Sequence, residues 1–267
     1  MFADTLSTMQ QAAFFDLDKT VIARSSTLAF GKPLYKAGLV GRGALMKMAL
    51  GQIFYLVFGA DEDTMERARD ALLTTISGWK RSDIERLVEE TLETIADPMV
   101  YAEALFLIDE HKRQGRRVFI ISASPEEIVR PISRHIGVDE VIATKVKVDA
   151  DGRYLPELER YAMGEGKAEA IRDVAAAEGL DLEGSYAYSD SITDLPMLEA
   201  VGHPVAVNPE RDLRKVAEER GWPILEFQRP VTLGPRLPRP SALAGVVVAA
   251  AVGAAVTAVV LMKRRSR

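Results

Sequence analysis

The sequence predicts an α/β fold with helices on both faces of a parallel sheet, a helical insertion after the first strand, and a C-terminal transmembrane helix. Short apolar runs that end in polar residues alternate with helical segments, which is typical of buried parallel strands. Residues 25–97 contain no alternating strand pattern. Residues 241–262 form a run of 22 residues without a charge, enough to cross a bilayer core of ~30 Å.

The composition limits the classes of function. The chain has 267 residues, of which 48% are apolar, so it can bury one substantial core plus a smaller module. It has no cysteine, which excludes disulfides and thiolate metal sites. Its N-terminus does not resemble a secretory signal, so the catalytic part is expected in the cytosol.

Charge is distributed unevenly along the chain. Residues 229–267 contain seven basic residues and no acid, so the net charge of −5 divides into +7 there and −12 in residues 1–228. An acidic body argues against nucleic-acid binding, which depends on neutralising backbone phosphates. Basic groups around an apolar segment indicate a lipid bilayer as a partner instead.

The first predicted strand, Ala12 to Phe15, ends in the pair Asp16 and Asp18, with a hydroxyl at Thr20. Open α/β sheets bind ligands at the carboxyl edge of their strands. Two carboxylates this close suit a nucleophile and a proton carrier, provided that a cation offsets their repulsion. Mg²⁺ fits because it binds one or two carboxylates together with water and phosphate oxygens. A strand that ends in solvated aspartates is the simpler alternative.

The predicted insertion, residues 25–97, contains two amphipathic helices, Thr64 to Ile76 and Ser82 to Ile95. Its most apolar part, Leu45 to Phe58, is too short and interrupted for a confident membrane span. We interpret that part as a core helix of the insertion. The alternative is a face that touches lipid or a lipid-like substrate.

The next predicted helix begins at Asp97 and Pro98 and ends near Gln114. A buried strand follows and ends at Ser122, after which Ser124 and Glu127 form a predicted capping box. Helix-terminal amides beside Ser122 would make an anion site.

The remaining predictions place more polar residues at strand ends and helix starts. A hairpin is expected around the turn residues 149–152. The further elements, in chain order, are a helix that opens at Gly164-Glu-Gly-Lys167, a strand at 186–190 that ends in Asp190, a short helix that Asp194 could cap, and strands at 205–208 and 223–227. Strands that alternate with helices imply right-handed crossovers in a parallel sheet.

The C-terminal part is expected to anchor the chain. Residues 229–240 carry four prolines and form a predicted stiff linker. Residues 241–262 form the predicted transmembrane helix, and residues 263–267 a basic tail; a buried soluble helix is the alternative for the apolar run. Small residues recur every four positions there, which allows a homodimer through this helix. Basic residues flank both ends, so charge does not decide the orientation, and the late position favours a tail anchor with a cytoplasmic catalytic domain.

Four segments carry the chemistry, and together they resemble the haloacid dehalogenase-like (HAD) phosphatases. They read Asp16-Leu-Asp18-Lys-Thr20, Ile120-Ile-Ser122, Lys167 and Asp190-Ser-Ile-Thr-Asp194. The resemblance covers residues 11–228 and is to subfamily IB, whose helical cap follows the first motif and which includes the phosphoserine phosphatases. It implies a Rossmann-like catalytic core of residues 1–24 and 98–228, with residues 25–97 as the cap.

The resemblance also implies a role for each motif residue. Asp16 would attack phosphorus and form an aspartyl-phosphate, and Asp18 would act as general acid and then base. Thr20, Ser122, Ala123 and Lys167 would bind the phosphoryl oxygens. Mg²⁺ would be held by Asp16, Asp18 and Asp190, with Asp194 as a ligand or as an orienting group.

The chain departs from the phosphoserine phosphatases in its substrate residues. Those enzymes carry a Glu nine residues after the nucleophile, where this chain has Ser25. Their substrate-carboxylate arginine has no obvious counterpart, although Arg67 and Arg69 are candidates. The leading hypothesis is a membrane-tethered phosphomonoesterase for a lipid or lysolipid phosphate. The alternatives are a phosphatase for phosphoserine or another small soluble phosphomonoester, a phosphotransferase, and a non-catalytic membrane-bound scaffold.

Overall fold

The computed structural model describes residues 10–38, 62–96 and 99–231. The strands are β1 Gln10–Asp16, β2 Val100–Tyr101, β3 Arg117–Pro125, β4 Glu140–Val148, β5 Tyr154–Arg160, β6 Leu180–Ser189, β7 His203–Val207, β8 Ile224–Leu225 and β9 Pro230–Val231. The helices are α1 Ser26–Ala29, α2 Gly31–Lys36, α3 Glu62–Ile76, α4 Arg81–Ala96, α5 Ala102–Arg113, α6 Glu126–His135, α7 Glu165–Glu178, α8 Leu195–Glu199 and α9 Arg211–Arg220, with a 3₁₀ turn at Ile192–Asp194.

Seven of the described strands form one sheet in the order β5-β4-β3-β1-β6-β7-β8. Every pairing in it is parallel except the β4–β5 hairpin, so the predicted mostly parallel α/β fold is confirmed. β1 lies between β3 and β6. The carboxyl ends of these three strands therefore meet at one edge of the sheet.

Residues of β1 pack alternately into the two faces of the sheet. Ala13 and Phe15 join a core cluster with residues of α5 and α6, whereas Ala12 and Phe14 join one with residues of α7 and α9. The two phenylalanines are at most 1% exposed, and burying such a side chain contributes roughly 1.5–3 kcal/mol. Helices cover both faces as predicted, and the strand that ends in Asp16 is held from both sides.

The insertion leaves and re-enters the core at adjacent points. The amide of Ala23 donates to the carbonyl of Met99 at 2.6 Å, and Ile22 forms a bridge with Val100. The described parts of the insertion are helical, as predicted. Its apolar stretch, residues 45–58, lies outside the described residues.

The segment that joins α3 to α4 forms hydrogen bonds with the β4–β5 hairpin, at its turn and at the first residue of β5. The amide of Gly78 donates to the carbonyl of Tyr154, and the amide of Tyr154 donates to the carbonyl of Trp79, both at 2.9 Å. The amide of Arg81 donates to Gly152 at 3.0 Å. The insertion is thus attached to the core at its base and at this hairpin.

The helix predicted to start at Asp97 and Pro98 was placed too early, because α5 begins at Ala102. Val100 and Tyr101 instead form β2, which pairs antiparallel with β9. Two residues near the start of the predicted linker (229–240), Pro230 and Val231, therefore lie in a strand. Proline is tolerated in such an edge pairing.

The remainder of the linker, the predicted transmembrane helix at 241–262 and the basic tail at 263–267 lie outside the described residues. Within the described part of the chain, no helix is both long and apolar enough to cross a membrane.

Candidate active site

Lys167 brings three of the predicted motifs together. Its ammonium donates to Asp16 Oδ1 at 2.6 Å and to Asp194 Oδ2 at 2.7 Å, and the residue is 2% exposed. Burial alone would lower the pKa of Lys167, but the two carboxylates outweigh burial and raise it above its usual value. The lysine therefore stays charged, bound to a carboxylate at the end of β1 and another at the 3₁₀ turn.

Two glycines shape the start of α7 and thereby the position of Lys167. Gly164 is the N-cap residue and has a φ of 54°, in the region that favours glycine. A Cβ on Gly166 would lie 2.1 Å from the carbonyl oxygen of Tyr161. The first turn of α7 can approach this carbonyl only without a side chain at position 166.

The Gly166→Ala variant tests this close approach. Because the clash is with backbone, we expect the turn to shift and the free energy of unfolding to fall by about 1–3 kcal/mol. Urea denaturation measures it. The control is Glu165→Ala, since Glu165 forms an exposed ion pair with Arg172 that is worth under ~1 kcal/mol. A Gly166→Ala protein as stable as this control would contradict the predicted constraint.

Asp16 and Asp190 lie buried at the same edge, 6% and 5% exposed. Burial raises the pKa of Asp16 well above its usual value; Lys167 opposes this, and neighbouring carboxylates add to it. Burial likewise raises the pKa of Asp190 to about 7, although the ammonium of Lys19 lies 3.8 Å away and lowers it. The site thus concentrates more negative charge than its lysines balance.

This excess charge fits a hard divalent cation. Asp16, Asp190 and the backbone of Asp18 offer oxygen ligands of the kind that Mg²⁺ prefers, and a cation there would relieve the repulsion that raises the carboxylate pKa values. Thr20 Oγ1 donates to Asp190 Oδ1 at 3.4 Å. Among the described residues, no group of three or more acidic or histidine side chains is arranged to hold a metal ion. The fit therefore depends on two carboxylates and a carbonyl.

Asp194 is occupied by two donors from the protein. Its Oδ2 accepts from Lys167 and, at 2.7 Å, from Ser189 Oγ. The sequence allows the Asp194 side chain to cap α8, but in the structure this side chain makes no capping hydrogen bond. Of the two roles predicted for Asp194 at the metal, these contacts favour the orienting one.

Asp18 is held by groups from the insertion and from β3. Its Oδ1 accepts from the amide of Ser26 at 2.8 Å, and its Oδ2 lies 3.4 Å from Ser124 Oγ. Burial raises the pKa of Asp18, and the bonds from Ser26 and Ser124 oppose that rise. A raised pKa favours the protonated form of the carboxyl group, which a general acid requires.

The end of β3 differs from its prediction. Ser124 does not cap α6, because β3 continues to Pro125, which is the N-cap residue and makes no side-chain bond. The segment from Ser122 to Pro125 remains part of the strand, although the β3–β4 register shifts within it. Ser122 is 2% exposed and its Oγ accepts from the amide of Ser124 at 3.2 Å, while Ala123 is exposed at the edge.

Sequence reasoning missed Lys19 and Glu210. Glu210 accepts from Ser191 Oγ at 3.0 Å and from the amide of Ile192 at 2.7 Å, while its own amide donates to the carbonyl of Asp190 at 2.9 Å. It therefore shapes the loop that carries Asp190. The sequence feature that could have indicated Glu210 is its position just beyond β7, at the same edge of the sheet. The feature that could have indicated Lys19 is its position inside the first motif.

A family model of haloacid dehalogenase-like hydrolases matches residues 13–199, a range that includes Asp16, Asp18, Lys167, Asp190 and Asp194. The chain belongs to this family. The predicted HAD membership is thereby confirmed.

Several relatives of this HAD protein are named as phosphatases. A probable phosphatase of Mycobacterium tuberculosis is 54% identical over 242 residues, covering 91% of this chain and 84% of the relative. A phosphoserine phosphatase of the same organism is 34% identical over 260 residues, covering 96% and 82%. A histidinol-phosphatase of Neisseria meningitidis is 30% identical over 224 residues, covering 82% and 100%. These findings support the predicted phosphomonoester hydrolase.

Solved structures agree with the fold of this HAD protein. A Bordetella pertussis protein of unknown function is 29% identical, with a TM-score of 0.71 over 82% of this chain and 99% of that one. A phosphoserine phosphatase that holds a phospho-aspartyl intermediate analogue is 17% identical, with a TM-score of 0.59 over 83% and 95%. At that identity the second likeness shows the fold alone, which confirms the Rossmann-like α/β prediction.

Proposed function

We propose that this HAD protein is an Mg²⁺-dependent phosphomonoesterase of subfamily IB that acts through an aspartyl-phosphate on Asp16. The contact that carries the proposal is the buried bond from Lys167 Nζ to Asp16 Oδ1. It fixes one oxygen of the carboxylate, so that the other can attack. The same ammonium places a positive charge where phosphoryl oxygens need stabilisation in a loose transition state.

In the first step, a free oxygen of Asp16 forms a bond to phosphorus while the bond from phosphorus to the alcohol oxygen breaks. The proton of the Asp18 carboxyl group passes to that oxygen, so the alcohol leaves neutral. Lys167, Ser122, Thr20 and the backbone at Ala123 hold the phosphoryl oxygens. Bound Mg²⁺ supplies the charge that screens the phosphate from the carboxylates.

In the second step, the Asp18 carboxylate takes a proton from water, whose oxygen attacks phosphorus. The bond between phosphorus and Asp16 breaks, inorganic phosphate leaves, and both aspartates return to their starting states. The pKa of Asp18, which burial raises and hydrogen bonds lower, allows the same group to give and then take a proton.

Removal of the metal is expected to lower turnover strongly. Without a cation the buried carboxylates repel the phosphate dianion, so EDTA should lower the hydrolysis rate of p-nitrophenyl phosphate by about 100-fold or more. Added Mg²⁺ should restore it, while Ca²⁺, which requires more ligands, should not. Full activity after EDTA treatment, in protein shown by elemental analysis to be metal-free, would refute the metal requirement.

We further propose that the enzyme is tethered to a lipid bilayer, with a cytoplasmic catalytic domain, and hydrolyses a lipid or lysolipid phosphate. The uncharged run at 241–262 supports the tether, and its spaced small residues are compatible with a homodimer. At position 25, where the phosphoserine phosphatases carry a Glu, Ser25 caps α1 by accepting from the amide of Leu28. This position therefore has no carboxylate to bind a substrate ammonium group. Arg69, one of the two candidates for a substrate-carboxylate arginine, pairs with Asp70 and lies over the ring of Tyr161.

The names of the relatives favour a second candidate, a phosphatase for phosphoserine, histidinol phosphate or another small soluble phosphomonoester. Phosphate release from lysophosphatidate, phosphatidylglycerophosphate, phosphoserine and histidinol phosphate separates the two. Cleavage of the soluble compounds alone would end the lipid proposal. Protease protection of a C-terminal tag in membrane vesicles would decide the orientation of the tether.

A further inference from the structure

We propose that the backbone amide of Ser26 and the hydroxyl of Ser124 are positioning groups that select which oxygen of Asp18 carries the proton. This inference rests on the proposed function, because it concerns the same proton transfer. Ser26 is the first residue of α1, in the insertion, and Ser124 lies near the end of β3, in the core. Ser26 and Ser124 therefore connect the insertion to the core at Asp18, the proposed general acid.

The two oxygens of Asp18 have different partners. The amide of Ser26 donates to Oδ1 at 2.8 Å, a normal length for an N–H···O bond. A proton on Oδ1 would face this donor, so Oδ1 stays an acceptor. Ser124 Oγ lies 3.4 Å from Oδ2, longer than the 2.5–3.0 Å typical of O–H···O bonds. Oδ2 is therefore the oxygen that holds and releases the proton.

The hydroxyl of Ser124 is prepared for this role by its other contacts. A serine hydroxyl has one hydrogen to donate and two lone pairs to accept with. Ser26 Oγ donates to Ser124 Oγ at 2.9 Å, and Thr27 Oγ1 lies 3.0 Å from it. When Asp18 is ionised and both neighbours donate, Ser124 accepts twice and directs its own hydrogen at Oδ2. When Oδ2 holds the proton, Ser124 can donate to Thr27 Oγ1 instead, since either hydroxyl of that pair can be the donor. Ser26 is fully buried and Ser124 is 7% exposed, so water does not substitute freely for these bonds.

As a consequence, the orientation of the Ser124 hydroxyl matches the protonation state of Asp18 in both steps of the reaction. When the proton leaves Oδ2 for the alcohol oxygen, the hydrogen of Ser124 stabilises the carboxylate that forms. When Oδ2 regains a proton from water, Ser124 turns its hydrogen from Oδ2 to Thr27 Oγ1. No atom of either serine is consumed, and the proton count on Asp18 is unchanged over a cycle.

Two substitutions remove the proposed contacts separately. Ser26→Pro deletes the amide hydrogen, and with it the hydroxyl that donates to Ser124. Position 26 is the first helical position, where proline is tolerated, and Ser25 before it is extended with ψ 122°. Ser26→Ala keeps the amide and removes only the hydroxyl. Ser124→Ala removes the other contact, and Ser124→Thr restores a hydroxyl. Ser82→Ala, at an exposed position on α4, is the matched control.

The readout is kcat/KM for an alkyl and an aryl phosphate. The p-nitrophenolate ion is stable at neutral pH and leaves without a proton, whereas glycerol 2-phosphate needs Asp18 as an acid. We expect Ser26→Pro and Ser124→Ala to lower kcat/KM for glycerol 2-phosphate by about 10- to 100-fold. For p-nitrophenyl phosphate the loss should stay under about threefold by the same reasoning. Ser26→Ala should lose less than Ser26→Pro, and Ser124→Thr should recover most of the alkyl activity.

Equal losses on both substrates, or no loss on either, would overturn the inference while leaving the phosphatase intact. A wild-type protein that hydrolyses neither compound would overturn the proposed function and this role of Asp18 together. If Ser26→Pro does not fold, the comparison of Ser124→Ala with Ser124→Thr decides, because a purely structural defect would not distinguish the two leaving groups.

Discussion

Asp16→Asn is expected to lower kcat for phosphomonoester hydrolysis by about 10⁴-fold or more, because an amide oxygen cannot replace the attacking carboxylate. The change should leave the fold intact. The introduced amide keeps an oxygen for the ammonium of Lys167, and burial with neighbouring carboxylates already raises the pKa of Asp16, so a neutral side chain removes repulsion. The free energy of unfolding should stay within about 1 kcal/mol of wild type or exceed it.

Two measurements check this expectation: the turnover of p-nitrophenyl phosphate and urea denaturation. Phosphoenzyme trapped by acid quenching should be present in the wild type and absent in Asp16→Asn. The matched control is Asp173→Asn, at an exposed position on α7. A stable Asp16→Asn protein with normal turnover would place the nucleophile elsewhere. If the wild type lacks turnover and the variant keeps its cellular role, the scaffold alternative is favoured.

The convergence of the site could be predicted from sequence because it follows from strand direction. Ala12 to Phe15 and residues 117–122 are short apolar runs that end in polar groups, which indicates buried parallel strands. Parallel strands present their carboxyl ends at one edge, so Asp16, Ser122 and Asp190 had to meet there. The glycines before Lys167 were visible too, although not the contact with Tyr161 that requires one of them.

The parts that sequence reasoning placed wrongly depend on contacts between distant residues. Asp97 and Pro98 carry a strong local helix-start signal, but Val100 and Tyr101 pair with residues 230 and 231, and a local pattern cannot reveal that pairing. Serine is a residue type that commonly caps helices, yet the hydroxyl of Ser124 contacts Asp18, more than a hundred residues earlier in the chain. In each case a long-range hydrogen bond replaced the local one.

The second large effect is expected from Lys167→Met, which removes the cation between two buried carboxylates. Breaking a buried ion pair by deleting one partner typically costs 3–5 kcal/mol, so the free energy of unfolding should fall by about that amount. Activity should fall by at least about 100-fold, since a phosphoryl-oxygen donor is lost as well. Lys215→Met, at a lysine whose side chain is 77% exposed, is the control and should match wild type.

The pH dependence of this loss separates electrostatics from packing. Burial raises the pKa of Asp16 in the folded protein, and Lys167 opposes that rise. A carboxyl group with a raised folded pKa loses stability as pH climbs from about 4, its unfolded pKa, through the folded value. Without Lys167 this loss grows, so in EDTA the stability gap between wild type and Lys167→Met should be wider at pH 8 than at pH 5. An equal gap at both pH values, measured by urea denaturation, would show that the lysine contributes packing rather than charge.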